Sequence, residues 1–285
     1  MNSPFKTATD FRKSLEARLQ LIASKTQIDL QRLRRKVAFD RLLARIFSQG
    51  QGHFFLKGGY AMELRISRAR ATKDIDLTWI RRIKNENELL NELILQELQT
   101  LARQDLKDYF VYQIGKAQID LENAPYGGAR FPVSTMIDGK QFVRFQLDVG
   151  GDVMIDQVEK IRGENWLDFC GILPPEIPTI SIEQQFAEKL HAYTLPRGDR
   201  INTRVKDLID LLLLSEMKNL KISECKKSLQ RIFTIRETHR LLDALPNPPV
   251  EWKTPFRELA TECGISMDLD EAFAMIAGFC EKIRL

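Results

Sequence analysis

Two aspartates one residue apart, Asp74 and Asp76, are the first side chains in this sequence whose spacing suggests chemistry. They lie in Asp74-Ile75-Asp76-Leu77-Thr78-Trp79, where the alternation of polar and apolar residues predicts a half-buried strand. Side chains two apart on a strand share a face, so the two carboxylates form a pair. Such a pair repels itself unless a cation sits between its members, and the hard cation that carboxylates and phosphates share is Mg²⁺. A D-x-D alone also occurs as ordinary surface acid on edge strands. The residues before it decide the matter.

Phe54, Phe55 and Leu56 read as a short buried strand that Gly58-Gly59 breaks into a turn. Tyr60 to about Ile66 then reads as a helix, because Ala61, Met62, Glu63, Leu64 and Arg65 are good helix formers. Arg65, Arg68, Arg70 and Lys73 make the stretch that leads into Asp74 basic. Glycines let backbone N–H groups approach phosphates, and cations offset the charge that a triphosphate brings. Lys57, Gly58, Gly59, Arg68 and Lys73 are therefore the candidate nucleotide contacts of this half of the chain.

Further along, Phe142 to Val149 reads as a strand ending in Leu147-Asp148-Val149. An aspartate in an apolar strand end either faces solvent or is buried with a partner. In the second case Asp148 lies beside Asp74 and Asp76, as a third metal ligand and an acceptor for the proton of an attacking hydroxyl.

The C-terminal part carries a second constellation. Ser181 with Gln184 forms an S-x-x-Q capping box before Phe186, Ala187, Leu190 and His191, and Lys189 falls beside that apolar face. Arg204-Val205-Lys206-Asp207-Leu208-Ile209-Asp210 opens the next helix after a basic turn. Each of Lys189, Lys206 and Asp207 alone is explained as surface charge. Together they describe an ammonium near phosphates, held by an aspartate of a neighbouring helix.

The remaining elements must position these groups. Thr9-Asp10 is placed to cap a helix through Phe11, Leu15, Leu19 and Ile22, and a second helix runs from about Ile28 to Phe47. Arg32, Arg34, Arg35 and Lys36 on it are either a solvated face or contacts to an RNA backbone. His53 reads as a packing histidine. A helix is expected from Asn85 to about Leu106, strand signals from Phe110 to Leu121 and Arg130 to Ile137, a turn at Pro125–Gly128 and a hairpin at Asp138-Gly139. The proline-rich Ile172–Pro178 separates residues 1–175, which hold the glycine turn and the D-x-D, from a helical 176–285.

At 285 residues, 44% hydrophobic and 29% charged, the chain has the composition of a soluble globular protein of one large or two modest domains. Its net charge of +4 permits nucleic-acid binding without requiring it. The cysteines are scattered with no C-x-x-C and the histidines have no second ligand at metal spacing, which argues against zinc and disulfide frameworks. With no apolar run of membrane-spanning length, the expectation is a cytoplasmic protein without membrane contact.

Three stretches resemble one family, the AbiEii/AbiGii-type nucleotidyltransferase toxins, including the MenT group. They are Leu56-Lys57-Gly58-Gly59-Tyr60-Ala61 with Thr72-Lys73-Asp74-Ile75-Asp76-Leu77, then Ala187-Glu188-Lys189-Leu190-His191-Ala192, then Arg204 to Leu211. The resemblance implies an α+β fold: a polymerase β-like nucleotidyltransferase core with a mixed sheet, and a mostly helical C-terminal region. It implies that Gly58 and Gly59 approach the triphosphate, that Asp74 and Asp76 hold Mg²⁺, and that Lys189 and Asp207 form the second-lobe pair. The implied activity is transfer of a nucleotide from an NTP to RNA, the tRNA 3′ end, neutralised by a cognate antitoxin. A protein or small-molecule acceptor, or a non-catalytic nucleotide- or RNA-binding module, stays open. Many members carry Ser or Thr after the glycine pair, where this chain has Tyr60.

Overall fold

The structure, a computed structural model, describes residues 4–48, 52–80, 87–120, 127–151, 155–241 and 244–284. The chain divides into two compact units. The first comprises residues 1–64, 71–154 and 159–179, and the second residues 65–70, 155–158 and 180–285.

The first unit is built on a mixed sheet. Its strands in chain order are β1 (Phe54–Lys57), β2 (Asp74–Trp79), β3 (Phe110–Ile114), β4 (Ile119–Asp120), β5 (Gly128–Ile137), β6 (Lys140–Gly151), β7 (Val158–Arg162) and β8 (Glu176–Ile180). They lie in the order β3-β5-β6-β2-β1-β8-β7, with β4 added to β5. β5 and β6 form the long hairpin, turned at Asp138 and Gly139, whose φ values of 57° and 64° suit the two central positions of a type I′ turn. β2 pairs antiparallel with β1 and parallel with β6.

Helices α1 (Ala8–Thr26), α2 (Leu30–Ile46), α3 (Gly58–Arg65) and α4 (Asn87–Ala102) accompany this sheet. The cap of α1 is Thr7, whose hydroxyl accepts from the Asp10 backbone N–H, so the helix starts earlier than Thr9-Asp10 suggested. Phe39 of α2 stands edge-on to Tyr60 and to Phe145 of β6, with ring centroids 4.9 and 4.8 Å away. Asp108, fully buried, binds Arg41 and Arg45 of α2 at 2.7 and 2.6 Å. Burial opposes its ionisation, and the two guanidiniums outweigh that and hold its carboxyl below the usual range.

Several expected bounds shift. The turn expected at Gly58-Gly59 is absorbed, because α3 begins at Gly58 directly after β1. His53 is exposed but still packs, its ring edge-on to Trp79 with centroids 6.4 Å apart, and it bonds to Glu97 of α4. The strand expected over Phe110–Leu121 is split into β3 and β4, and the first half of the turn at Pro125–Gly128 lies outside the described residues.

The second unit is helical: α5 (Ile182–Thr194), α6 (Val205–Ser215), α7 (Ile222–Arg236), α8 (Lys253–Glu262) and α9 (Leu269–Arg284). α6 is buried from Asp207 to Leu214 and packs with α5, α8 and α9. Half of the predicted capping box on α5 forms. Ser181 Oγ accepts from Gln184 N at 3.1 Å, while the Gln184 side chain turns to Asp156 and Glu188. No helix among the described residues is long and apolar enough to cross a membrane.

Candidate active site

Strand pairing in the first unit sets four charged residues in one row. Arg130 of β5 is in register with Asp148 of β6, Asp148 with Asp76 of β2, and Asp76 with Lys57 of β1. Directly paired residues point to the same face of a sheet. The row therefore reads cation, anion, anion, cation across four strands. Asp74, two residues before Asp76, adds a third carboxylate on that face.

Arg130 grips Asp148 with two parallel bonds, Nε to Oδ1 at 2.7 Å and Nη2 to Oδ2 at 2.6 Å. This bidentate bond raises the guanidinium's pKa above its ordinary value, with Asp148, Asp74 and Asp76 all contributing charge and burial opposing them. An ionised carboxylate has about four lone-pair sites, so Asp148 keeps acceptor capacity beyond Arg130. Sequence reading missed Arg130. Its signal was one basic residue in the strand before Asp148, which only register could connect to the pair.

The two glycines are fitted to Asp76 and Thr72. A Cβ on Gly58, at φ +67°, would stand 1.9 Å from Asp76 Oδ2, and one on Gly59 would stand 2.6 Å from Thr72 Oγ1. The Gly59 backbone N–H points at Asp76 Oδ2 from 3.3 Å. Thr72 Oγ1 in turn donates to Asp74 Oδ1 at 2.7 Å. Both carboxylates of the D-x-D thus come close to the start of α3, one directly and one through Thr72. Lys73 is exposed.

Asp74 and Asp76 fit a hard divalent cation: they are oxygen donors on one face, only half buried, with glycine space beside them. Among the described residues no set of three His, Cys, Asp or Glu is gathered closely enough to hold a metal, and both oxygens of Asp148 accept from Arg130.

The basic residues of α2 are largely spent inside the unit. Arg32 binds Glu63, Arg34 binds Glu16, and Lys36 binds Glu164. Tyr60 is fully buried, and its hydroxyl donates to Asp40 Oδ1 at 2.6 Å. Burial pushes the Asp40 carboxyl up to about 7, against the bonds from Tyr60 and the Glu164 N–H.

The second unit gathers the other constellation. Lys189 Nζ lies 3.0 Å from Asp207 Oδ1 and 2.7 Å from Asp210 Oδ2. Arg70 binds the same Asp210 through Nε at 3.0 Å and Nη2 at 2.8 Å. Burial disfavours the ammonium of Lys189, and Asp207 and Asp210 outweigh it, so its pKa is raised. Asp207 Oδ2 is buried without a hydrogen bond, 3.6 Å from the Arg204 guanidinium. The sequence singled out Lys189 and Asp207 but not the quartet they form with Arg70 and Asp210. Arg68 pairs with Glu216, and Lys206 is exposed.

Residues 41–273 match the family model described as nucleotidyl transferase AbiEii toxin, type IV TA system. No curated protein matches the sequence. Among solved structures, MenT4, a nucleotidyltransferase toxin from Mycobacterium tuberculosis H37Rv, superposes with a TM-score of 0.55 at 15% identity, covering 93% of this chain and 98% of that one. JHP933 from Helicobacter pylori gives a TM-score of 0.47 at 14% identity, over 90% of this chain and 93% of its own.

Proposed function

This chain belongs to the AbiEii nucleotidyltransferase toxin family of type IV toxin–antitoxin systems, and we propose that it transfers a nucleoside monophosphate from an NTP to RNA, at the tRNA 3′ end. The observation that carries the chemistry is the approach of Asp76 to Gly58, closer than any side chain at that position would allow. A glycine fitted to a carboxylate marks a site built around the D-x-D.

Asp74 and Asp76 would hold Mg²⁺, which when bound neutralises phosphate charge and fixes the orientation of the α-phosphorus. Lys57, Lys73 and the backbone at Gly58 and Gly59 meet the triphosphate. The acceptor hydroxyl attacks the α-phosphorus in line, the bond to the β-phosphate oxygen breaks, and pyrophosphate leaves. Asp148, held in place by Arg130, accepts the hydroxyl proton. Within the second unit, Lys189, held by Asp207, together with Arg68 and Lys206 has the chemistry that suits a phosphate. Catalysis of this kind rests on positioning and on charge neutralisation. The reaction takes place in the cytoplasm, halts growth, and is restrained by a cognate antitoxin.

The test is incubation of the protein with Mg²⁺, each labelled NTP in turn, and total bacterial RNA, beside Asp76→Ala. Label in a tRNA-sized band that vanishes in the variant is expected. Pyrophosphate release without labelled RNA would shift the acceptor to a protein or small molecule. With neither, a non-catalytic binding module is the better reading.

A further inference from the structure

Asp74 is held by a chain of residues that the reaction does not itself require. Its Oδ1 accepts from Thr72 Oγ1 at 2.7 Å. The backbone N–H of Thr72 donates to Glu63 Oε1 at 2.6 Å. The other oxygen of Glu63 accepts from Arg32 Nε at 3.2 Å and Nη2 at 3.0 Å. The Glu63 side chain is only 2% exposed, so a carboxylate has been buried in α3 with both oxygens engaged. Burying a charge is costly unless it is paired and fully bonded, and here the pairing fixes the loop before β2. Gly59 completes the arrangement, since its missing Cβ leaves the space that the Thr72 side chain fills.

We propose that Thr72, locked by Glu63 and Arg32, is a positioning residue that turns Asp74 so that Oδ1 is engaged and Oδ2 is presented to the metal. This rests on the reading above that Asp74 is a metal ligand. Partners that orient a ligand in this way are typically worth about 10- to 100-fold in metal affinity. The arrangement also gives Arg32 a role: it is the counter-ion of Glu63, placed 31 residues before it in the chain.

The experiment measures Mn²⁺ binding by electron paramagnetic resonance, with a non-hydrolysable NTP analogue present, for wild type, Thr72→Val, Thr72→Ser and Asp74→Asn. Thr72→Val keeps the shape and loses the donor, and its affinity falls by about 10- to 100-fold. Thr72→Ser restores the donor and stays within about threefold of wild type. Transferase activity of Thr72→Val recovers toward wild type as Mg²⁺ is raised, which a general packing defect would not do. If Thr72→Val does not fold, Glu63→Gln is measured instead, and a loss of the same sign is expected because Arg32 then lacks its charge partner. Wild-type Mn²⁺ affinity in Thr72→Val, or in Glu63→Gln when that variant replaces it, overturns the proposal. Wild-type affinity in Asp74→Asn would instead overturn the assignment of Asp74 as ligand.

Discussion

Gly58→Ala separates two effects that glycine usually confounds. At φ +67° the alanine is in the left-handed region, which costs an L-residue roughly 1–2 kcal/mol. Its Cβ would also be 1.9 Å from Asp76 Oδ2. To reach ordinary van der Waals contact the carboxylate must retreat by about 1.5 Å, since carbon and oxygen do not approach closer without repulsion. Gly139 has nearly the same φ, +64°, and nothing within 4 Å of its Cβ position. Gly139→Ala therefore carries the backbone cost alone.

Gly139→Ala should lose about 1–2 kcal/mol of stability, read from urea unfolding, and Gly58→Ala at least that much, since it adds the clash with Asp76. Activity should divide them. A displacement of about 1 Å in a reacting constellation costs on the order of 100-fold, so Gly58→Ala should lose at least that in kcat/KM, or about 2.7 kcal/mol of barrier. Gly139→Ala should stay within about twofold of wild type, because it touches no charged group. Pyrophosphate release, followed at constant Mg²⁺ and NTP, gives both numbers. Near wild-type turnover in Gly58→Ala would refute the claim that this glycine exists to admit Asp76.

Further outcomes are expected elsewhere in the molecule. Asp76→Ala should abolish nucleotidyl transfer with a thermal unfolding curve like that of wild type; full activity would remove the residue from the site. Asp40 has a folded pKa of about 7 against an ordinary 3.8, so the native state holds its proton longer than the unfolded chain does. Its favourable contribution is complete below about pH 4 and is lost as pH rises through 7. The stability of Asp40→Asn relative to wild type should accordingly grow between pH 5 and 8 in urea titrations, and an unchanged gap would contradict the assignment. Tyr60→Phe removes the 2.6 Å bond to Asp40 and should cost about 1–3 kcal/mol at neutral pH. Arg70→Met leaves the fully buried Asp210 with Lys189 alone and should cost about 3 kcal/mol. A loss below about 0.5 kcal/mol would mean that the pair contributes nothing to folding.

What the sequence disclosed and what it hid divide along chain separation. Periodicity found β2, because Asp74 to Leu77 alternates strictly, and turn chemistry found the Asp138-Gly139 hairpin. The positive φ that each of those two residues adopts is a local property, readable from residue type. Arg130 escaped because its meaning depends on a register with Asp148, 18 residues away. Arg70 was read as one more cation for phosphate, yet its side chain is committed to Asp210, 140 residues on. The same holds for Arg32, Arg34 and Lys36, whose acidic partners lie on other elements. A basic run in a sequence counts charges but cannot say which have already been neutralised.

Tyr60 carries this reasoning into the chemistry. A Ser or Thr after the glycine pair would offer a hydroxyl at the start of α3, where helix N–H groups also gather. In this chain the residue is fully buried, its ring set edge-on against Phe39 and its hydroxyl spent on Asp40 and the Lys36 carbonyl. That hydroxyl is closed to any ligand. Tyr60 is an anchor beneath α3 that ties it to α2. The consequence is a helix start whose geometry is fixed from the core side by Asp40 and Tyr60. On the strand side it is fixed by Gly58 against Asp76 and by Gly59 against Thr72. On the proposed function, phosphate recognition in the first unit would rest on backbone N–H groups and lysine ammoniums, which need no hydroxyl at that position.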